Sequence, residues 1–154
     1  LAPLEFGPET KLPKASEILS LKGDAKQGKV LIGRCYVCHK IGSAGVEFGP
    51  ALAGWGSGQT REIILKSILD PSAEISHGFE GTELIVKGDK KIQGFIQAEG
   101  DPLVIRVFGG QDLVIAKADI NSRKQVKTSF MAPASRLGLS AQQLRDIVEY
   151  LKLN

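Results

Sequence analysis

Both cysteines of this 154-residue chain, Cys35 and Cys38, and one of its two histidines, His39, fall within five consecutive positions of the stretch GRCYVCHKIG. Thiols and an imidazole at this spacing can be joined as a disulfide, cycle as a redox pair, ligate a metal or anchor a prosthetic group. A disulfide closing over two residues constrains little of the unfolded chain and so stabilises little. A thioredoxin-like pair wants a strand before it and a helix after it, whereas here a helical pattern precedes the motif and a loop follows. A zinc site needs four ligands, typically from two such hooks. The second hook is missing, and His77 alone does not complete one.

The remaining reading uses every residue: C-x-x-C-H is the attachment signal for c-type haem. The two thiols become thioethers to the porphyrin vinyl groups, and the adjacent imidazole is held under the ring, where it can ligate the iron. The expected cofactor is one covalent haem c, and the expected location is periplasmic or otherwise extracytoplasmic, because this attachment occurs outside the cytoplasm. A second axial ligand is needed, and methionine raises the reduction potential relative to a second histidine. The chain has a single methionine, Met131, in the polar loop KTSFMAPASRLGLS, where Pro133 stiffens the approach. His77 is the competitor. The ring N–H of His39 needs an acceptor to fix its orientation, and the carbonyl of Pro50 is free to serve. Trp55 either reaches a haem propionate with its indole N–H or fills the core.

The elements that must position these groups come next. Ala25, Gly28, Ile32 and Cys35 recur at helical spacing behind Asp24 and Gln27, which resemble a capping box. At the other end, Ser140 and Gln143 form the same box before an apolar stripe of Leu144, Ile147, Val148 and Leu151. The two helices either cross at Gly28, which would let Tyr150 sit close, or merely face a common core. A third helix is expected from Thr60 to Leu69, ended by Pro71, after the Gly-rich stretch GVEFGPALAGWGSGQT. Then the period changes to alternation, predicting strands at 82–87, 91–98, 103–108 and 112–117 with Gly in every turn, hence antiparallel hairpins. Four such strands must lay their apolar face on something, and the helices or the haem edge are the expected support.

Apolar residues make up 42% of the chain and charged residues 24%, values that suit a globular protein. No apolar run approaches the roughly 20 residues of a membrane helix, and the start, LAPLEFGPETKLPKAS, lacks the pattern of a signal peptide. Residues 1–19 read as a Pro-rich linker, and 20–154 as a haem domain with a β-insertion at about 80–120, so the chain is expected to be a processed protein or an excised domain. The net charge of +3 is mild. The basic runs KGDKK (87–91) and RKQVK (123–127) are solvated turns or a docking patch for an acidic partner. Nucleic-acid binding is not expected, as no aromatic-interleaved basic stretch occurs.

The framework GKVLIGRCYVCHKIG…FGPALAG with a late Met loop and terminal helix resembles class I cytochrome c. More specifically, LDPSAEISHGFE, a β-rich stretch with KADI, and SFMAP…LSAQQLRDIVEYL are similar to the haem-binding domain described in Planctomycetes and Verrucomicrobia. The resemblance implies a mainly α cytochrome c core of about three helices around the haem, with a β-rich antiparallel insertion between the second helix and the Met loop, α+β overall. It implies that Cys35 and Cys38 carry the haem, that His39 and Met131 ligate the iron, and that the Pro50 carbonyl orients His39. One departure stands out: in the family pattern proline directly follows the methionine, whereas Ala132 intervenes here. The expected function is a monohaem electron carrier rather than an enzyme, working between a dehydrogenase-type donor, separate or fused to the chain, and a downstream acceptor. The alternative is a haem-based gas sensor or peroxidase-like site, should Met131 not bind. A third reading makes the β-insertion a docking platform and the haem a folding staple.

Overall fold

The computed structural model describes residues 5–154. Its helices are α1 (Ala15–Ser20), α2 (Ala25–Leu31), α3 (Arg61–Leu69) and α4 (Ala141–Leu153), with short 3₁₀ turns between. A small hairpin, β1 (Lys40–Ile41) and β2 (Ala44–Gly45), follows the cysteine motif. The other strands are β3 (Gly81–Val86), β4 (Lys90–Ala98), β5 (Leu103–Val107), β6 (Asp112–Ile115) and β7 (Ile120–Val126). They form one antiparallel sheet in the order β6-β5-β4-β3-β7.

Side-chain caps start α2, α3 and α4, and of the two expected capping boxes the one at Ser140 forms in full while Asp24 caps α2 without a return bond from the Gln27 side chain. Asp24 accepts from the amides of Lys26 and Gln27 ahead of α2, and Thr60 accepts from that of Ile63 ahead of α3. Ser140 and Gln143 exchange both bonds of a capping box at α4, satisfying amides that have no partner within the helix. Gly28 lies directly beneath α4: a Cβ there would run into the backbone carbonyl of Asp146 and come 2.7 Å from the Cβ of Tyr150. The crossing is thus backbone against backbone, and it is the helix rather than the Tyr150 ring that fills the space. Polar bonds pin the same contact. The Asp24 amide donates to Asp146 at 2.8 Å, and the buried Arg145 donates to the Leu21 carbonyl at 2.9 Å and to Glu149 at 2.8 Å. Arg61 of α3 completes this network with two bonds to Glu149. The apolar filling of the helical layer is Ile18, Ile32, Ile64, Leu65, Ile68, Leu144, Ile147, Val148 and Leu151, with Ala134 and Leu139. Ile18 belongs to α1, so the expected linker boundary at residue 19 falls inside a helix that contributes to this core.

The expectation of a mainly α core is overturned. About a third of the chain is helical, and the largest assembly is the five-stranded sheet, which makes the fold α+β. The sheet is also no mere insertion leaning on the helices. Leu84, Val86, Ile92, Leu103, Ile105, Val107 and Ile115 form an apolar cluster of their own, with no helical residue in it. Register shifts at Ile85/Val86 and Ile96/Ala98 mark irregularities of the kind that bend strands.

The fifth strand is the element the pattern did not predict. β7, INSRKQV, is exposed along nearly its whole length and takes up most of the basic run read as a solvated turn or docking patch. Edge strands are commonly charged, which blocks further pairing. Its register is set by charge instead of burial: Lys124 stands opposite Glu83 on β3, with Nζ 3.2 Å from the carboxylate, and Lys91 of β4 approaches from the other side at 3.6 Å.

Candidate haem-attachment site

Cys35, Cys38 and His39 sit where α2 tightens into a 3₁₀ turn, Ile32–Val37. The Cys35 carbonyl accepts from the amides of Cys38 at 3.1 Å and His39 at 2.8 Å, closing the motif into one turn. That turn puts both thiols and the imidazole on adjacent positions of a rigid hook. The next loop braces it: the amides of Val46, Gly49 and Leu52 donate to the carbonyls of Tyr36, Cys38 and Lys40. Gly45 is needed because it has φ +89°, and a Cβ there would strike the His39 carbonyl.

The imidazole is held on two sides. Its Nδ1 lies 2.6 Å from the Pro50 carbonyl, which requires that this nitrogen carry the proton and leaves the Nε2 lone pair for a metal. Gly49 presses on the same ring: a Cβ there would be 2.9 Å from Cε1 and 3.1 Å from Nδ1. Burial lowers the His39 pKa, with the Pro50 carbonyl opposing, so the ring is neutral near pH 7 as a ligand must be. Burial pushes the Cys35 thiol up to about 11, with the Cys38 charge adding and Arg34 opposing, and burial also raises Cys38. A catalytic dithiol needs the opposite shift. Both cysteines are free and half-buried. Among the described residues no three of His, Cys, Asp and Glu converge to hold a metal directly, which is not the ligand set of a zinc site.

Cys35, Leu52, Trp55 and Met131 are half-buried and all pack against the helical core. Of these, Leu52 is tied to the hook, its amide donating to the Lys40 carbonyl at 3.0 Å. The free thiols, the oriented imidazole and these apolar side chains are the residue types that a covalent haem requires. Met131 is placed by its own loop: its amide donates to the Ser129 hydroxyl at 3.1 Å, and the Ser129 amide donates to Ser72 at 3.0 Å. Ala132, the residue intervening before Pro133, is buried. Trp55 packs on the helical core. His77 is elsewhere. Its side chain is fully exposed in the loop before β3, 3.4 Å from Glu80, beside a shallow polar groove lined by Thr82, Glu99, Arg123 and Gln125.

Two groups of residues escaped the sequence reading. Gly45 and Gly49 fix the hook and its imidazole, and their only sequence signal was adjacency to the motif and to Pro50. Five phenylalanines, Phe48, Phe79, Phe95, Phe108 and Phe130, come from five separate segments and join into one cluster, which no spacing rule could reveal. No helix among the described residues is long and apolar enough to cross a membrane. No protein-family model matches the chain, and no curated protein matches it.

Proposed function

We propose that this chain is a covalent-haem electron-transfer module. The observation that carries the reading is the bond between His39 Nδ1 and the Pro50 carbonyl, within a C-x-x-C-H turn whose thiols are free. A histidine so oriented has its tautomer fixed and its other nitrogen more basic, the usual support for a metal-ligating imidazole. The bound haem supplies a one-electron iron couple. Cys35 and Cys38 are the two covalent anchors, and the rigid turn between them sets the distance over which they act. His39 presents Nε2 as one axial ligand, and Met131 is proposed as the other. Leu52 and Trp55 are proposed to shield the bound group from water. The role proposed is that of a carrier rather than an enzyme. The partners are a dehydrogenase-type donor, separate or fused, and a downstream acceptor, with an extracytoplasmic location.

The test is one visible spectrum. Protein produced with a c-type maturation pathway is expected to carry one haem per chain that resists acid–acetone extraction, and to show reduced-haem bands on dithionite addition. Colourless protein with two thiols titratable after denaturation would overturn the reading.

A further inference from the structure

The sheet reaches the loops that flank the site through its other face, chiefly through aromatic side chains. Leu84 and its neighbours occupy the self-covered face. Phe95, one residue along β4 from Gly94, points the opposite way and is 5% exposed. Its ring centroid lies 4.6 Å from that of Phe48 and 5.3 Å from that of Phe130. Phe108, at the end of β5, repeats the arrangement, 4.6 Å from Phe48 and 5.5 Å from Phe130. Phe48 directly precedes Gly49, which presses on the His39 ring, and Phe130 directly precedes Met131. Two further contacts hold the Phe48 loop to the same strands. Arg106 of β5 reaches Glu47 at 3.4 Å, and Gly110 admits Val46, whose Cγ1 would lie 2.9 Å from a Cβ there.

We propose that the sheet clamps the two ligand loops together, with Phe95 and Phe108 as positioning residues that hold the Phe48 loop beside His39 and the Phe130 loop carrying Met131 as one unit. The inference rests on the haem reading above and gives the sheet its part in it. Aromatic pairs of this geometry contribute beyond their burial. Removing one ring that bridges both loops is therefore expected to raise the population with Met131 withdrawn by about tenfold.

The experiment compares haem-loaded wild type with Phe95→Leu, Phe108→Leu and Leu84→Ala. Leu84→Ala weakens the sheet from its other face and controls for general loss of stability. The readouts are the weak far-red charge-transfer band of a thioether-ligated ferric haem, the rate of CO uptake by the ferrous protein, and amide hydrogen exchange over residues 129–132. Phe95→Leu is expected to diminish the band, to raise CO uptake about tenfold and to speed exchange in that segment. Phe108, at the half-buried rim of the cluster, gives the milder variant and is expected to change the same readouts in the same direction. Leu84→Ala is expected to lower the melting temperature while leaving all three readouts as in wild type. If the phenylalanine variants match wild type, or if Leu84→Ala matches them, the clamp is overturned while the haem reading stands. Wild-type protein that carries haem but lacks the band overturns Met131 ligation, and the clamp with it.

Discussion

Gly49→Ala is the sharpest probe of how the imidazole is held. The added Cβ would lie 2.9 Å from His39 Cε1 and 3.1 Å from Nδ1, where carbon atoms prefer about 3.5–4.0 Å. Gly49 is not among the left-handed glycines, so alanine brings no backbone strain and acts chiefly through this contact, with a looser one of 3.3 Å to the Cys38 carbonyl oxygen. The flanking loop is fixed by the Gly49 amide on the Cys38 carbonyl at 2.6 Å, so the ring must give way, by roughly half an ångström or more. The bond from Nδ1 to Pro50 then lengthens from 2.6 Å towards the weak end of the range of about 2.7–3.2 Å for N–H···O bonds. Weakening it removes up to about 1 kcal/mol, and it reduces the electron donation that favours the ferric state. For a one-electron couple, where a tenfold change in equilibrium is about 59 mV, the reduction potential should rise by some tens of millivolts. Protein-film or solution voltammetry measures this directly, and the Nδ1 proton in the NMR spectrum reports the bond itself. Gly58→Ala, where a Cβ meets nothing within 4 Å, is the matched control. Equal potentials and an unchanged Nδ1 proton in both variants would refute the idea that Gly49 and Pro50 hold the ring between them.

Met131→Ala is expected to abolish the far-red band and lower the potential, since thioether ligation raises it; an untouched ferric spectrum would sink the ligand assignment. The Glu149 carboxyl is held down at about 2, first by its bond to Arg61 and also by that to Arg145, against an ordinary value of 4.5. A depressed carboxylate adds stability above the ordinary value and loses it as pH falls towards the folded one. Glu149→Gln should thus cost about 2 kcal/mol at neutral pH, and urea midpoints of variant and wild type should converge between about pH 4.5 and 2. Gly28→Ala forces α2 off the Asp146 carbonyl and should cost about 3 kcal/mol, seen calorimetrically as a melting temperature lower by roughly 6–12 °C; a shift under about 2 °C would mean the helices do not cross there.

What could be read in the residues was local. The caps at Asp24 and Ser140, the crossing at Gly28 and four of the five long strands each follow from a rule acting over a few positions. β7 escaped because strand periodicity reports burial, and this strand pairs through backbone bonds and the Glu83–Lys124 match while burying almost nothing. The mainly α expectation failed for a related reason. Alternation in residues 82–117 predicted strands, but nothing in it told whether their apolar face would lie on the helices or close upon itself. The phenylalanine cluster was illegible because its five members are brought together by topology alone. Around the cysteines the reading reached the Pro50 carbonyl, as chemistry demanded an acceptor, but not Gly49, whose role is to be small.

The pairing of α2 with α4 has a consequence for biosynthesis. The helix that leads into the cysteines is seated on one more than a hundred residues downstream, with Asp24 bonded to Asp146 across a separation of 122 positions. Contacts of such long range cannot form on a nascent chain until its later part has emerged. Throughout that interval the two sulfurs lie on an unanchored thread, whereas in the finished molecule Cys35 is tucked against the helices.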